Sequence, residues 1–179
     1  RALFAKNFLY KDFSSLYSFA FSRNPTDRFL SMFYYLYYKN NLKGYFLRNM
    51  KSLLFYKKIS FNIKDEFDIF LNYVHDIHVD KIIEYPNFSP FDQHFATHTA
   101  PMYSDICENE NILLTKIFKL DDFKEAMDEV FESCNIEHPP PQNFKKNVNT
   151  NYSIYKPNSS QIKKIETIYR KDFDLYYSI

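Results

Sequence analysis

The stretch from Leu16 to Lys39 constrains the fold more than any other part of the chain. It opens with "LYSFAFS" (16–22), a compact apolar run of strand length. Such a run is expected for a strand buried on both faces. It then breaks at Asn24 and Pro25. Asparagine is a good helix N-cap, proline suits the first helical position, and Asp27 is favoured in the first turn. The helix that follows, "TDRFLSMFYYLYYKN", is apolar nearly all round, so it should be deeply packed. A strand ending at a helix N-terminus is also a ready anion site, because free backbone N–H groups and the helix dipole point there.

The rest of the chain repeats the alternation. "ALFAKNFLYKD" (2–12) reads as a short helix, and residues 40–63 are polar and broken, an excursion. In "KDEFDIFLNYVHDI", Phe67, Phe70, Leu71 and Val74, with His78 beyond, follow the spacing of one amphipathic helix. "EYPNFSPFDQHFATHTAPMY" carries Pro86, Pro90 and Pro101 and cannot be one regular element. It is expected to be a long loop or a short helix with turns. "NILLTKIFKL" (111–120) is a second buried strand and runs into "DDFKEAMDEVFESC". There Phe123, Met127, Val130, Phe131 and Cys134 share a face. "HPPPQN" reads as a stiff linker. The last helix is capped by Ser159 or Ser160 and turns Ile162, Ile165, Tyr169, Phe173 and Tyr176 inward. Strands alternating with helices predict an α/β fold with a mainly parallel sheet, a single domain over residues 1–179.

Composition removes several functional classes. A formal net charge of +1 excludes a strongly polybasic nucleic-acid binder. Cys107 and Cys134 form neither a metal-ligand spacing nor a disulfide framework, which fits a reducing compartment. No apolar run is long enough to cross a bilayer, and no signal peptide is apparent. Gly44 is the single glycine, so a glycine-rich phosphate loop of the usual kind does not lie within these residues. The chain opens on Arg1 rather than methionine, and the expectation is a piece of a longer protein.

Arg23, at the strand's end, would add a planar donor fork suited to phosphate, and Ser31 a hydroxyl farther along the helix. The plainer reading is an arginine in an ion pair and a serine that only packs. The segment "FAFSRNPTDRFLSMFYY" resembles the second nucleotide-binding motif of the sulfotransferase superfamily, most closely its carbohydrate branch, written FxFVRNPxxRxxSxY. "DEFDIFLNYV", "FDQHFATHTAPMY", "LLTKIFKLDD" and "YRKDFDLYY" are similar to later segments of the same family, in the same order.

The resemblance implies a P-loop-NTPase-like α/β fold, a mainly parallel sheet flanked by helices, with the N-terminal strand and phosphate loop absent from this chain. It implies transfer of a sulfuryl group from 3′-phosphoadenosine 5′-phosphosulfate (PAPS) to a hydroxyl of a carbohydrate, without a metal. Arg23 and Ser31 would then hold the donor's 3′-phosphate. Tyr155 and Lys156 would cover the adenine and the 3′-phosphate by stacking and by charge. His94, in the segment similar to "DQHFxPQ", would bind the acceptor or act as a base, the plainer reading being a histidine hydrogen-bonded in a loop; Thr97 and His98 stand where the family often has Pro and Gln. A His94–His98 metal pair has suitable spacing but no evident third ligand. Asp121 would orient Arg23 or an acceptor group or, more simply, cap a helix, and Asp172 and Phe173 would lock the last helix to the core. The rival reading is a non-catalytic nucleotide-binding or interaction module that has lost its phosphate loop; a P-loop kinase has no recurring need for the Arg23/Ser31 pair. A bacterial host would place the protein in the cytoplasm, a eukaryotic one in the Golgi lumen.

Overall fold

In the computed structural model, residues 2, 5–9, 12–39, 62–81, 90–137 and 155–179 are described. Most of the expected 40–63 excursion and the "HPPPQN" linker lie outside them. The fold is mixed α/β with a parallel strand pair and flanking helices. The chain divides into two compact units, one drawn from residues 1–24, 101–151 and 171–179, the other from 25–100 and 152–170.

The first unit contains the strands. β1 (Phe19–Ser22) pairs in parallel with β4 (Lys116–Lys119), from Phe19 opposite Lys116 to Ser22 opposite Lys119. A parallel pair cannot be closed by a hairpin, so the chain makes a long crossover between them. Alternation along β4 serves two cores. Ile117 joins Ala2, Phe13, Ile106, Cys107 and Leu175, while Phe118 packs with Ala126 and Val130 of helix α5 (Phe123–Ser133). Ala126, not Met127, supplies the buried contact there, and Cys134 is exposed at the helix's end.

Two strand expectations need correction. β1 is not buried on both faces: Ser22 is buried, but Phe19 keeps 37% of its surface exposed. Nor is 111–120 one strand. Asn111–Ile112 (β3) pairs antiparallel with Cys107–Glu108 (β2), and the parallel strand begins only at Lys116. The β2–β3 turn uses Asn109 and Glu110 at positive φ, 48° and 66°. Glycine usually takes such positions, and this chain has nearly none to give.

The second unit is helical. α1 (Pro25–Met32) continues through wider π-type turns over Phe33–Lys39. It lies with α2 (Ile63–His78), α3 (Pro90–Thr99) and α6 (Ser159–Ile168). Phe29 and Phe33, four residues apart on one face, are fully buried. They meet Phe67 and Phe70 of α2 edge to face, with centroids 5.1–5.5 Å apart. That is the preferred geometry for aromatic quadrupoles. Phe70 reaches Phe95 of α3 in the same way, at 5.4 Å. The expected face of α2 is the buried one, with Ile77 added and His78 half-buried at its end.

The last helix departs from expectation at both its cap and its middle. Asn158, not Ser159 or Ser160, caps α6, in a reciprocal capping box with Gln161. The helix then breaks at Tyr169 and restarts as α7 (Arg170–Ser178). Within the strand-bearing unit, Asp172 is buried and its carboxylate accepts the Met102 and Tyr103 N–H groups at 2.9 and 2.8 Å. These are orphan donors at the start of α4 (Met102–Ile106). The expected locking role of Asp172 has this form, while Phe173 is half-buried against Tyr177.

Candidate functional site

Arg23 belongs to the strand-bearing unit, one residue beyond β1, and its surface is exposed. Ser31 belongs to the helical unit, on α1, and is exposed as well. The buried rings of Phe29 and Phe33 face the other way, so the serine is left on the solvent side.

Within the helical unit, Tyr155 and Lys156 are brought to the helix that carries Ser31. Tyr34, about one turn beyond Ser31, accepts the Tyr155 backbone N–H through its hydroxyl at 2.7 Å. The Tyr155 ring packs on Phe67 at 4.8 Å, and its hydroxyl donates to Gln161 Oε1 at 3.0 Å. Gln161 is buried and bonded through both its amide oxygen and its amide nitrogen. Its Oε1 also accepts the Asn158 N–H at 2.8 Å, and its Nε2 donates to Asp68 Oδ1 at 2.6 Å. A buried amide satisfied at both ends holds its partners in one geometry. The 155–158 segment is therefore fixed on α1 and α2, and Lys156 projects from it exposed.

The Tyr85–Tyr103 stretch is less irregular than its prolines implied. Residues 82–89 lie outside the described residues, but Pro90–Thr99 is a regular helix, α3. Pro90 occupies its first position, where the missing N–H costs nothing, and Pro101 follows its end. The prolines bracket this helix rather than break it. His94 lies on α3; its side chain is outside the described residues. His98, one turn on, is exposed, with its ring 6.3 Å from Tyr35. Asp121 does not cap α5. It accepts a hydrogen bond from the Tyr176 hydroxyl at 3.0 Å, and Lys119 lies over the Tyr176 ring.

The sequence reading missed a polar cluster at the C-terminal end of α3. Thr99 is fully buried, and its hydroxyl donates to Phe95 O at 2.9 Å. That hydroxyl must therefore accept, not donate, in its 2.8 Å bond with His78 Nε2. The Tyr169 hydroxyl donates to Thr99 O at 2.7 Å, and Arg28 Nη2 donates to Ala100 O at 2.5 Å. Burial, aided by the Arg28 charge, pulls the His78 imidazole down to a pKa of about 4. Among the described residues, His75, Asp76 and Asp80 bring ligand atoms within 4.8 Å of one another at the end of α2. His75 Nδ1 already bonds Asp80 Oδ2 at 2.9 Å there. Burial pushes the Cys107 thiol up, away from the thiolate a nucleophile needs.

The model of the sulfotransferase family matches residues 3–178, nearly the whole chain. The chain belongs to the sulfotransferase family. No curated protein and no solved structure matches it significantly. Membership makes this sulfotransferase chain a transferase that requires an acceptor, and it agrees with the parallel pair and flanking helices described above. No helix among the described residues of this sulfotransferase is long and apolar enough to cross a membrane.

The His78 environment gives the sulfotransferase a defined acid sensitivity. With a native pKa of about 4 against an ordinary 6.5, the unfolded chain binds more protons between those values. The stabilisation from keeping His78 neutral is complete above pH 6.5 and is lost as pH falls toward 4. The loss is on the order of 2–3 kcal/mol. Urea unfolding at pH 7 and pH 4.5 should show His78→Gln narrowing the difference between the two conditions. A wild-type difference unaffected by the substitution would assign the acid sensitivity to other groups.

Proposed function

We propose that the chain transfers a sulfuryl group from 3′-phosphoadenosine 5′-phosphosulfate to a hydroxyl of a carbohydrate. The reading rests on family membership together with the arrangement around α1, where the Tyr155 amide on the Tyr34 hydroxyl ties Lys156 to the helix of Ser31. In this reading the donor's 3′-phosphate is the group being recognised. Arg23 offers it a planar fork, Ser31 a hydroxyl, and Lys156 a mobile positive charge. Tyr155, half-buried with Phe67 beside its ring at 4.8 Å, would meet the adenine. Exposure of Arg23, Ser31 and Lys156 is what such contacts require.

His94 is the proposed acceptor-side base. As the acceptor oxygen forms its bond to sulfur, the bond from sulfur to the bridging oxygen breaks. The electron pair leaves with adenosine 3′,5′-bisphosphate, and the acceptor's proton passes to His94. Charge stabilisation on the bridging oxygens carries most of such a transfer, as in phosphoryl transfer.

Specificity for the 3′-phosphate is the direct consequence. In the full-length protein, adenosine 3′,5′-bisphosphate should raise the melting temperature more than AMP does, by a margin that Arg23→Ala removes. The substitution should weaken bisphosphate binding by about 1.5–3 kcal/mol, the range for a hydrogen bond to a charged group. Arg23→Lys should recover only part. Equal shifts with both nucleotides would defeat the assignment, and unchanged affinity with lowered stability would make Arg23 an ion-pair residue.

The acceptor side has its own test. His94→Ala should lower turnover about 10²–10⁴-fold in transfer of radiolabelled sulfuryl group to a panel of saccharides, the contribution of a general base. Calorimetry should show bisphosphate binding intact. Loss of nucleotide binding together with turnover would place His94 on the donor side or in the fold.

A further inference from the structure

Arg28 lies within the motif that carries the family resemblance, yet the proposed donor chemistry gives it no task. Two of its contacts lie away from Ser31. Arg28 is on the first turn of α1, half-buried, and its guanidinium is turned toward the end of α3. Nη2 donates to Ala100 O at 2.5 Å, and the group lies over the Tyr169 ring, 5.5 Å from its centroid. Tyr169 is itself buried, and its hydroxyl holds Thr99 O. The last carbonyls of a helix lack intrahelical donors and stand at the negative end of its dipole. Arg28 and Tyr169 answer both needs at α3, and His78 adds a third tie through the Thr99 hydroxyl.

Arginine suits this place for a geometric reason. A planar guanidinium can bond a carbonyl in its plane while presenting its face to a ring; an ammonium carries the charge but not the plane. Edge-to-face packing of Phe29 and Phe33 on Phe67 and Phe70 sets which face of α1 is turned inward. The Arg28–Ala100 hydrogen bond adds a polar tie at the first turn, on a different face from those rings.

We infer that Arg28 is a positioning residue for nucleotide binding: it pins the first turn of α1 to the end of α3 and so fixes the Ser31 hydroxyl on the next turn. This rests on the reading that Ser31 holds the donor's 3′-phosphate. Arg28 does not touch the nucleotide in this arrangement; it acts through the helix.

The test is calorimetry on the full-length protein with adenosine 3′,5′-bisphosphate and with AMP. The variants are Arg28→Ala, Arg28→Lys, Tyr169→Phe, Ser31→Ala and the Arg28→Ala/Ser31→Ala double substitution. Arg28→Ala should weaken bisphosphate binding about tenfold and AMP binding about twofold or less, with Arg28→Lys recovering part. On the Ser31→Ala background the same substitution should cost about threefold or less, because residues acting as a unit are not additive. Tyr169→Phe keeps the ring but loses the bond to Thr99, and should lower the bisphosphate preference even if Arg28→Ala fails to fold. Equal losses for both nucleotides, or an undiminished Arg28 effect without Ser31, overturns the inference. So does an unchanged preference in Tyr169→Phe. A wild-type protein that binds both nucleotides alike overturns the donor reading and this role with it. A wild type that prefers the bisphosphate, with Arg28→Ala retaining that preference, overturns the role alone.

Discussion

Everything in the helical unit depends on two rings. Phe29 and Phe33 lie four residues apart on α1 and are completely buried against Phe67 and Phe70. Each large aromatic removes enough apolar surface from water to contribute roughly 2–3 kcal/mol, and edge-to-face pairing adds to it. Because one face of α1 is committed to that core, its other faces are defined. Ser31 is left toward solvent and Arg28 toward α3. The same helix thus carries an apolar anchor, a directional polar tie and an exposed hydroxyl, each on a face set by the 3.6-residue period.

Helix ends form the second theme. The start of α4 receives the Asp172 carboxylate, the end of α3 receives Arg28 and Tyr169, and the start of α6 is closed by Asn158 and Gln161. In each case a buried polar side chain satisfies backbone groups that the helix cannot satisfy internally. Among the described residues, positive-φ positions of the kind glycine usually takes are filled by Lys81, Asn109, Glu110 and Asn135, in a chain whose one glycine is Gly44.

The sequence made the hydrophobic periodicities legible, and with them α2, the α1 start at Pro25 and the parallel partner near residues 116–119. It concealed whatever depends on distant partners. Arg28 meets a carbonyl 72 positions away, and no local pattern announces that. Tyr169 fits the inward stripe of a single long helix, but its hydroxyl is drawn to Thr99 O and the helix breaks there. Asn158 outcompeted Ser159 and Ser160 because Gln161 could reciprocate from the third helical position. Prolines misled in the 84–103 segment since Pro90 begins a helix as readily as it ends one. Of the candidate site, the motif around Arg23 and Ser31 could be read directly, whereas the anchoring of Tyr155 to Tyr34 required the fold.

Recognition of the donor's 3′-phosphate by Arg23 and Ser31 is the proposal on which the rest turns. A crystal structure of the full-length protein with adenosine 3′,5′-bisphosphate tests it most directly. The 3′-phosphate oxygens should lie about 2.7–3.2 Å from the Arg23 guanidinium and the Ser31 hydroxyl. A 3′-phosphate held by other residues, or left in solvent while the nucleotide is bound, would contradict it.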